Sequence, residues 1–399
     1  MTHDYAALFR TYLGRRLGQM QRVVESEAFV HAPREQERAL RLLDYALAEP
    51  VAPDATCALL ANMAPKMEMA GQRDEWRAYL LRGIEFSRSA NAIFVEAELA
   101  YELGVLLQRQ SKFAEAEHWL ATSESLFKRI EFPFGQAKAL NQTAFTAYLQ
   151  HKYELANQVV HQALTLHQEK TIYATSCTVR GAIALDRRQW HEAEDWHRQA
   201  LQIYQQVCDQ RRSAICLWNL ANALRSQNQF TEAIQSYNEA ATILQLLGDN
   251  YHLAHVHMNL GLAYFHSSQA QNALEQFTKA HAIWEPQQDR LNLAKLLTNL
   301  GLVYLSLKNH SAAERSFRES VILYQELCDD AGRLNATDGL AMSLLAQQRF
   351  AEAASILAQG IAELPRIMGF PNHSYLLNSM TTHLAEAQQW PKETAATSN

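Results

Sequence analysis

The sequence predicts an all-α solenoid of about eight helical hairpins with helical caps at both ends. Two observations carry this reading. A small residue inside an apolar stretch returns every 40 residues, at Ala64, Gly104, Ala144, Gly181, Ala221, Gly261, Gly301 and Ala341, with one step of 37 from Ala144 to Gly181. A fixed period of that length marks stacked repeats rather than one globule. Glycine and proline are scarce, 14 and 9 in 399 residues, as expected of a nearly all-helical chain.

The elements follow in chain order. Residues 2–29 and 34–49 read as two helices, the second through Ala39, Leu40, Leu42, Leu43, Tyr45 and Ala46. They lack the small anchor, so residues 1–54 form a divergent repeat or N-terminal cap. The segment Glu49-Pro50-Val51-Ala52-Pro53-Asp54 breaks the chain. From residue 55 to about 371 each unit holds two helices. The first carries the anchor, with a leucine one place before it at Leu103, Leu220, Leu260, Leu300 and Leu340. A further apolar residue stands three places after it, at Leu107, Leu224, Tyr264, Tyr304 or Leu344, which is helical spacing on one face.

The second helix repeats small and large places. Alanine stands twelve residues after the anchor (Ala116, Ala156, Ala193, Ala233, Ala273, Ala313 and Ala353), and a larger residue sixteen after it in most units, such as Leu120, Tyr237, Phe277 or Phe317. Small residues where two helices cross let the backbones approach, and large ones fill the flanks. Turn signals lie between units, as at Gly248-Asp249-Asn250 and Cys328-Asp329-Asp330. Pro65 lies inside the first anchor helix, which is therefore kinked or wrongly placed. Arg180 and Thr143 replace the usual leucine. Residues 372–391 continue the phase as a closing helix that Pro391 stops, and the polar residues 392–399 are expected to be disordered.

This small–large–small spacing resembles the tetratricopeptide repeat. The segments Asn259-Leu260-Gly261-Leu262-Ala263-Tyr264 and Asn299-Leu300-Gly301-Leu302-Val303-Tyr304 are similar to the 40-residue variety of kinesin light chains and spindle-orienting scaffolds. The resemblance implies a right-handed α-solenoid that binds peptides or proteins, and it covers roughly residues 55–388.

Composition narrows the functions. The net charge is −6, so the chain lacks the basic footprint of a nucleic-acid binder. No apolar run reaches the length of a membrane span, and the N-terminus lacks the apolar core of a signal peptide. Five cysteines without close pairs suggest free thiols in a reducing cytoplasm. Cys208 and Cys328 share one place in their units, which points to packing at the end of the second helix. No phosphate loop, nucleophile elbow or zinc-protease helix is present, so neither catalysis nor a cofactor is expected. His252, His255 and His257, with His266 beyond, come nearest to a metal set, but they read better as polar positions on a helix.

The sharper signal is a recurring asparagine two residues before the anchor, at Asn62, Asn219, Asn259 and Asn299. In the family that the chain resembles, this place faces the concave groove. An amide both donates and accepts, so a ladder of them can bond an extended peptide backbone. The alternative is that each asparagine ties its helix to the next unit. By the same register Trp218, Asn222, Arg225, Met258, His255, Phe265, His266, Lys295 and Asp338 line that side, with Arg225 and Lys295 suited to an acidic group. For Trp218 and Phe265 core packing competes with this reading. The expected function is a cytoplasmic scaffold or adaptor holding a peptide or partner protein, with neither nucleic acid nor membrane as a partner. The alternative is a peptide-sensing regulatory protein whose residues 2–49 are a helical effector, since bacterial peptide-responsive regulators are similar.

Overall fold

The computed structural model describes residues 5–48, 52–69, 73–366 and 373–396. Among them every regular element is a helix. Two helices, α1 (Tyr5–Glu25) and α2 (Pro33–Ala48), flank a 3-10 turn at Glu27–His31. Hairpins then follow: α3 (Pro53–Met69) with α4 (Arg73–Ser89), α5 (Ile93–Arg109) with α6 (Phe113–Arg129), α7 (Pro133–Leu149) with α8 (Tyr153–Leu166), and α9 (Lys170–Asp186) with α10 (Trp190–Gln206). They continue as α11 (Gln210–Ser226) with α12 (Phe230–Leu247), α13 (Asn250–His266) with α14 (Ala270–Trp284), α15 (Arg290–Ser306) with α16 (His310–Glu326), and α17 (Asp330–Ala346) with α18 (Phe350–Glu363). The last element is α19 (His373–Ala396).

Two compact units divide the chain, residues 1–253 and 254–399, so the division falls inside α13 and within the stretch read as one array. In the first unit Leu13, Leu17, Phe29, Leu40 and Leu43 share one core with Leu59, Leu80 and Leu103 of α3–α5. The N-terminal helices are thus packed onto the first hairpin. Helix α3 is continuous through Pro65. Next to that proline, the Lys66 ammonium donates to the Val24 and Ser26 carbonyls and ties down the end of α1. Pro391 does not stop α19, which runs on to Ala396. A proline lacks one backbone donor, but its fixed φ is itself helical. Residues 49–51 of the chain-breaking segment and 397–399 of the tail lie outside the described residues.

The 40-residue period has a simple local cause. In most units, helices of 17 residues alternate with three-residue turns whose middle residue is left-handed, giving two steps of 20. That residue is Asn91, Ser111, Glu131 and His151, then Arg188, Cys208, Asn228, Gly248, Ser268, Gln288, Lys308, Cys328 and Gln348. After Ser111 the chain closes the helix end, with Ser111 N–H on the Gln108 carbonyl at 3.0 Å and Lys112 N–H on the Leu107 carbonyl at 2.9 Å. This is the Schellman closure, which glycine usually serves. A side chain in that conformation costs about 1–2 kcal/mol, and among the described residues only Gly248 avoids it. Cys208 and Cys328 are exposed at these turns, so turn position and not packing explains their shared place. The 37-residue step arises because α8 has 14 residues and its exit, at His167, is extended rather than left-handed.

Each anchor is buried where its two helices cross. A Cβ on Gly261 would lie 2.5 Å from Phe277 Cε1, and one on Gly301 2.5 Å from Phe317 Cζ. The same place opposite Gly181 is taken by His197. That ring is fully buried, and neither nitrogen has a hydrogen-bond partner among the described residues. Burial drives its pKa down to about 4.

Neighbouring hairpins are joined by a repeating polar tie. A glutamine six residues after one anchor donates to a glutamate thirteen residues after the previous anchor. The pairs are Gln150 with Glu117 at 2.5 Å, Gln227 with Glu194 at 2.7 Å and Gln347 with Glu314 at 2.9 Å. A cation eight residues after the anchor adds to two of them: Lys152 lies 3.6 Å from Glu117 and Arg349 2.7 Å from Glu314. Burial alone would raise the Glu314 pKa, but bonds from Gln347, Arg318 and Arg349 hold it at about 2.

Two outcomes are expected. Gly261→Ala should destabilise the second unit by about 1–3 kcal/mol through overpacking, although alanine gains about 1 kcal/mol in helix propensity over glycine. Adding Phe277→Leu should restore most of the loss, as Ala341 and Leu357 already share this register; denaturant unfolding of the single and double variants measures it. His197→Phe should stabilise the first unit. In the native protein the buried neutral histidine makes stability fall as pH drops below about 6.5, where the unfolded chain takes a proton, until the folded ring titrates near 4. The variant should lose that stretch of the pH–stability profile; an unchanged profile would refute the assignment.

Candidate functional site

Within each unit the first helices of successive hairpins lie side by side. In the first unit their polar side chains interlock. Lys138 of α7 sits 4.0 Å from the centre of the Tyr101 ring of α5 and 2.8 Å from the Glu98 carboxylate. Gln142 donates to Gln108 at 2.6 Å, and Gln108 donates to Thr146 at 2.8 Å. Ser176 of α9 donates to Asn141 at 2.9 Å.

The most concentrated group forms where α13 begins. An aspartate precedes a first helix every 40 residues, at Asp209, Asp249, Asp289 and Asp329, and each accepts a backbone N–H of the first turn. Such caps satisfy a donor that the helix itself leaves open. Asp249 does more. It is fully buried, accepts from Arg211 Nε at 2.7 Å, and lies 2.8 Å from His252 Nδ1. The Arg109 guanidinium of α5 lies 4.6 Å from the centre of the Tyr251 ring. Burial opposes the Asp249 charge, but His252, Arg211 and Arg109 outweigh it and keep the carboxyl far below its ordinary range. On the other side of this turn the His31 ring lies against Gly248, 2.4 Å from where a Cβ would stand. Glycine is therefore required here twice, for its φ of 68° and for this approach. The turn before α13 thus gathers residues from the N-terminal segment, α5 and α11.

The sequence-picked residues separate into groups. Trp218 joins this cluster, its ring edge-on to His252 at 6.1 Å. Asn222 accepts from the Tyr237 hydroxyl at 2.6 Å, and Arg225 also acts on that tyrosine, so both serve the contact of α11 with α12. Asn219 is half-buried in the first unit, while Asn259 and Asn299 are half-buried in the second. In the second unit His255 packs edge-on against Trp284 at 5.2 Å. Met258 and Phe265 pack against the apolar core there. His266 and Lys295 are exposed. Asp338 is buried and bonded to Ser379 at 2.6 Å and His383 at 2.7 Å, which fixes α19 in place. His257 bonds Gln276 at 2.9 Å. Among the described residues no three His, Cys, Asp or Glu side chains are placed to hold a metal.

Sequence reading passed over Arg109, Arg211 and Asp249. The 40-residue recurrence of aspartate was available as a signal for the cap; the approach of Arg109 to Tyr251, across 142 positions, had none.

The model of the tetratricopeptide repeat matches residues 174–246 and 252–326. These residues form tetratricopeptide repeats. Three solved structures align with this chain. A Rap protein complexed with competence and sporulation factor aligns with a TM-score of 0.54 and 16% identity, over 83% of this chain and 99% of that one. A signal-transduction ATPase with numerous domains and a tetratricopeptide-repeat sensor, from Pyrococcus horikoshii, aligns at 0.58 and 13% identity over 80% of this chain; the alignment spans 50% of that protein's length. Putative kinesin light chain repeats of Podosopora anserina align at 0.45 and 19% identity, over 50% of this chain and 99% of that one. No curated protein matches the chain. Tetratricopeptide arrays are in general scaffolds for protein–protein interaction. No described helix is long and apolar enough to cross a membrane.

The four caps provide an internal comparison. Asp329→Ala should cost about 1 kcal/mol, the value of an N-cap. Asp249→Ala should cost about 3–5 kcal/mol, because it also strands buried positive charge. Chemical denaturation followed by circular dichroism separates the two; equal losses would mean that Arg109 and Arg211 add nothing to the cap.

Proposed function

We propose that this protein is a cytoplasmic scaffold that takes an extended peptide, or a segment of a partner protein, on the face made by the first helices of its second unit. The observation that carries this is the state of the recurring amides. Asn219 and Asn299 are half-buried two residues before their anchors, and among the described residues neither side chain bonds a protein group. An asparagine that tied helix to helix would make that bond; one that serves a ligand keeps it available. In the second unit exposed Lys295 adds a charge for an acidic group, with His255 and Asn259 on the same first-helix register. The net charge of −6 and five free cysteines favour a protein partner in a reducing compartment over nucleic acid.

A second reading, a peptide-sensing regulator with residues 2–49 as effector, is favoured by one contact. His31 of the N-terminal segment rests on Gly248, directly beside the Asp249 cluster. A ligand that moves the start of α13 would be felt by that segment.

The test uses the full chain and a peptide selected on it from a displayed random library. Each amide bond is worth about 0.5–1.5 kcal/mol. Asn299→Ala should therefore weaken binding about three- to tenfold by calorimetry, while thermal unfolding barely moves. A variant that melts far earlier, or binds as before, makes the amide structural. Hydrogen exchange with the same peptide divides the two readings: protection confined to the repeats supports the scaffold, and protection reaching residues 5–48 supports the regulator.

A further inference from the structure

The tie is made at three junctions; among the junctions that lack it, the one between α7–α8 and α9–α10 leaves an open cleft lined by polar side chains. In the register of the other ties, the glutamate position between the hairpins α7–α8 and α9–α10 is Asn157, and the glutamine position is Arg187. The place eight residues after the anchor, which holds Lys152 and Arg349 elsewhere, is Gln189. These three residues line a cleft of about 220 Å³ together with Arg180, Glu192 and Trp196. Arg180 stands where five other units have leucine. Its guanidinium lies 5.1 Å from the centre of the Trp196 ring, and among the described residues it pairs with no carboxylate.

The charges at the cleft are few and can all be named. Arg187 reaches Glu154 at 2.5 Å, but that glutamate is 80% exposed, and such a rim pair holds weakly. Glu192 accepts from the Trp196 indole at 3.3 Å. Two guanidinium groups and two amides thus surround a position that glutamate fills at three other junctions. Arginine presents paired donors that match a carboxylate, and an aromatic face beneath it keeps the fork oriented.

We propose that this cleft binds a glutamate side chain of a protein partner, which completes in trans the tie that Glu117, Glu194 and Glu314 make within the chain. The site is separate from the asparagine register, so it stands whatever occupies the first-helix face.

Two measurements on the full chain test it. If the cleft awaits a carboxylate, Asn157→Glu should supply one and raise the melting temperature by about 2–4 °C over Asn157→Gln. Equal or lower melting of the glutamate variant overturns the proposal. The second measurement labels the protein with 5-fluorotryptophan and assigns the Trp196 resonance by its loss in Trp196→Phe. N-acetyl-glutamate-N-methylamide should shift this resonance saturably in the millimolar range. The glutamine analogue should not, and in Asn157→Glu the glutamate analogue should lose its effect. Equal response to both analogues, or a response that survives in Asn157→Glu, overturns the assignment. Saturation by inorganic phosphate at lower concentration than by the glutamate analogue would make the occupant a phosphate, and the proposal would fall.

Discussion

Every hairpin depends on how closely its two helices can cross. At Gly261 and Gly301 a phenylalanine ring lies against bare Cα, closer than any Cβ would permit. That approach lets 17-residue helices pack along much of their length. Short turns then return the chain, most with a left-handed residue. Among the described residues twelve non-glycine residues accept that conformation, at about 1–2 kcal/mol each. The cost is tolerable because each turn closes its helix end with two backbone bonds and sets the next helix in register. Stability in such arrays is a sum of repeats and of the interfaces between neighbours, so small recurring terms matter more than any single contact.

Polar chemistry is used sparingly and in fixed places. Aspartate caps recur before first helices, and glutamine–glutamate ties recur between hairpins. Two departures from these patterns stand out. At Asp249 a cap has gathered Arg211, His252 and Arg109 and become a buried junction to which His31 is also brought. At Asn157 the tie has lost its carboxylate, and Arg180 stands in place of a core leucine. Both lie in the first unit. Buried, satisfied charge holds structure together, whereas a guanidinium with no carboxylate partner, as at Arg180, favours a ligand.

His197 shows the same logic in the core. A neutral imidazole is the right size for the space opposite Gly181, so the helix crossing is preserved. Its nitrogens have no partner there, and the buried ring resists protonation down to about pH 4. Shape alone satisfies the repeat; hydrogen bonding is forgone.

The sequence by itself determined the helical class, the hairpins and the buried anchors, because each of these depends on spacing within about 20 residues, and helical periodicity is a local property. It also revealed which asparagines recur, though not what they bond. Only the tertiary structure decided that Pro65 leaves its helix continuous, that Cys208 and Cys328 sit in left-handed turns, and that Asn222 and Arg225 serve Tyr237. It alone brought Arg109 to Tyr251 and His31 to Gly248. Those meetings depend on small rotations accumulated over several hairpins. No single repeat encodes such a sum, so no local pattern announces it.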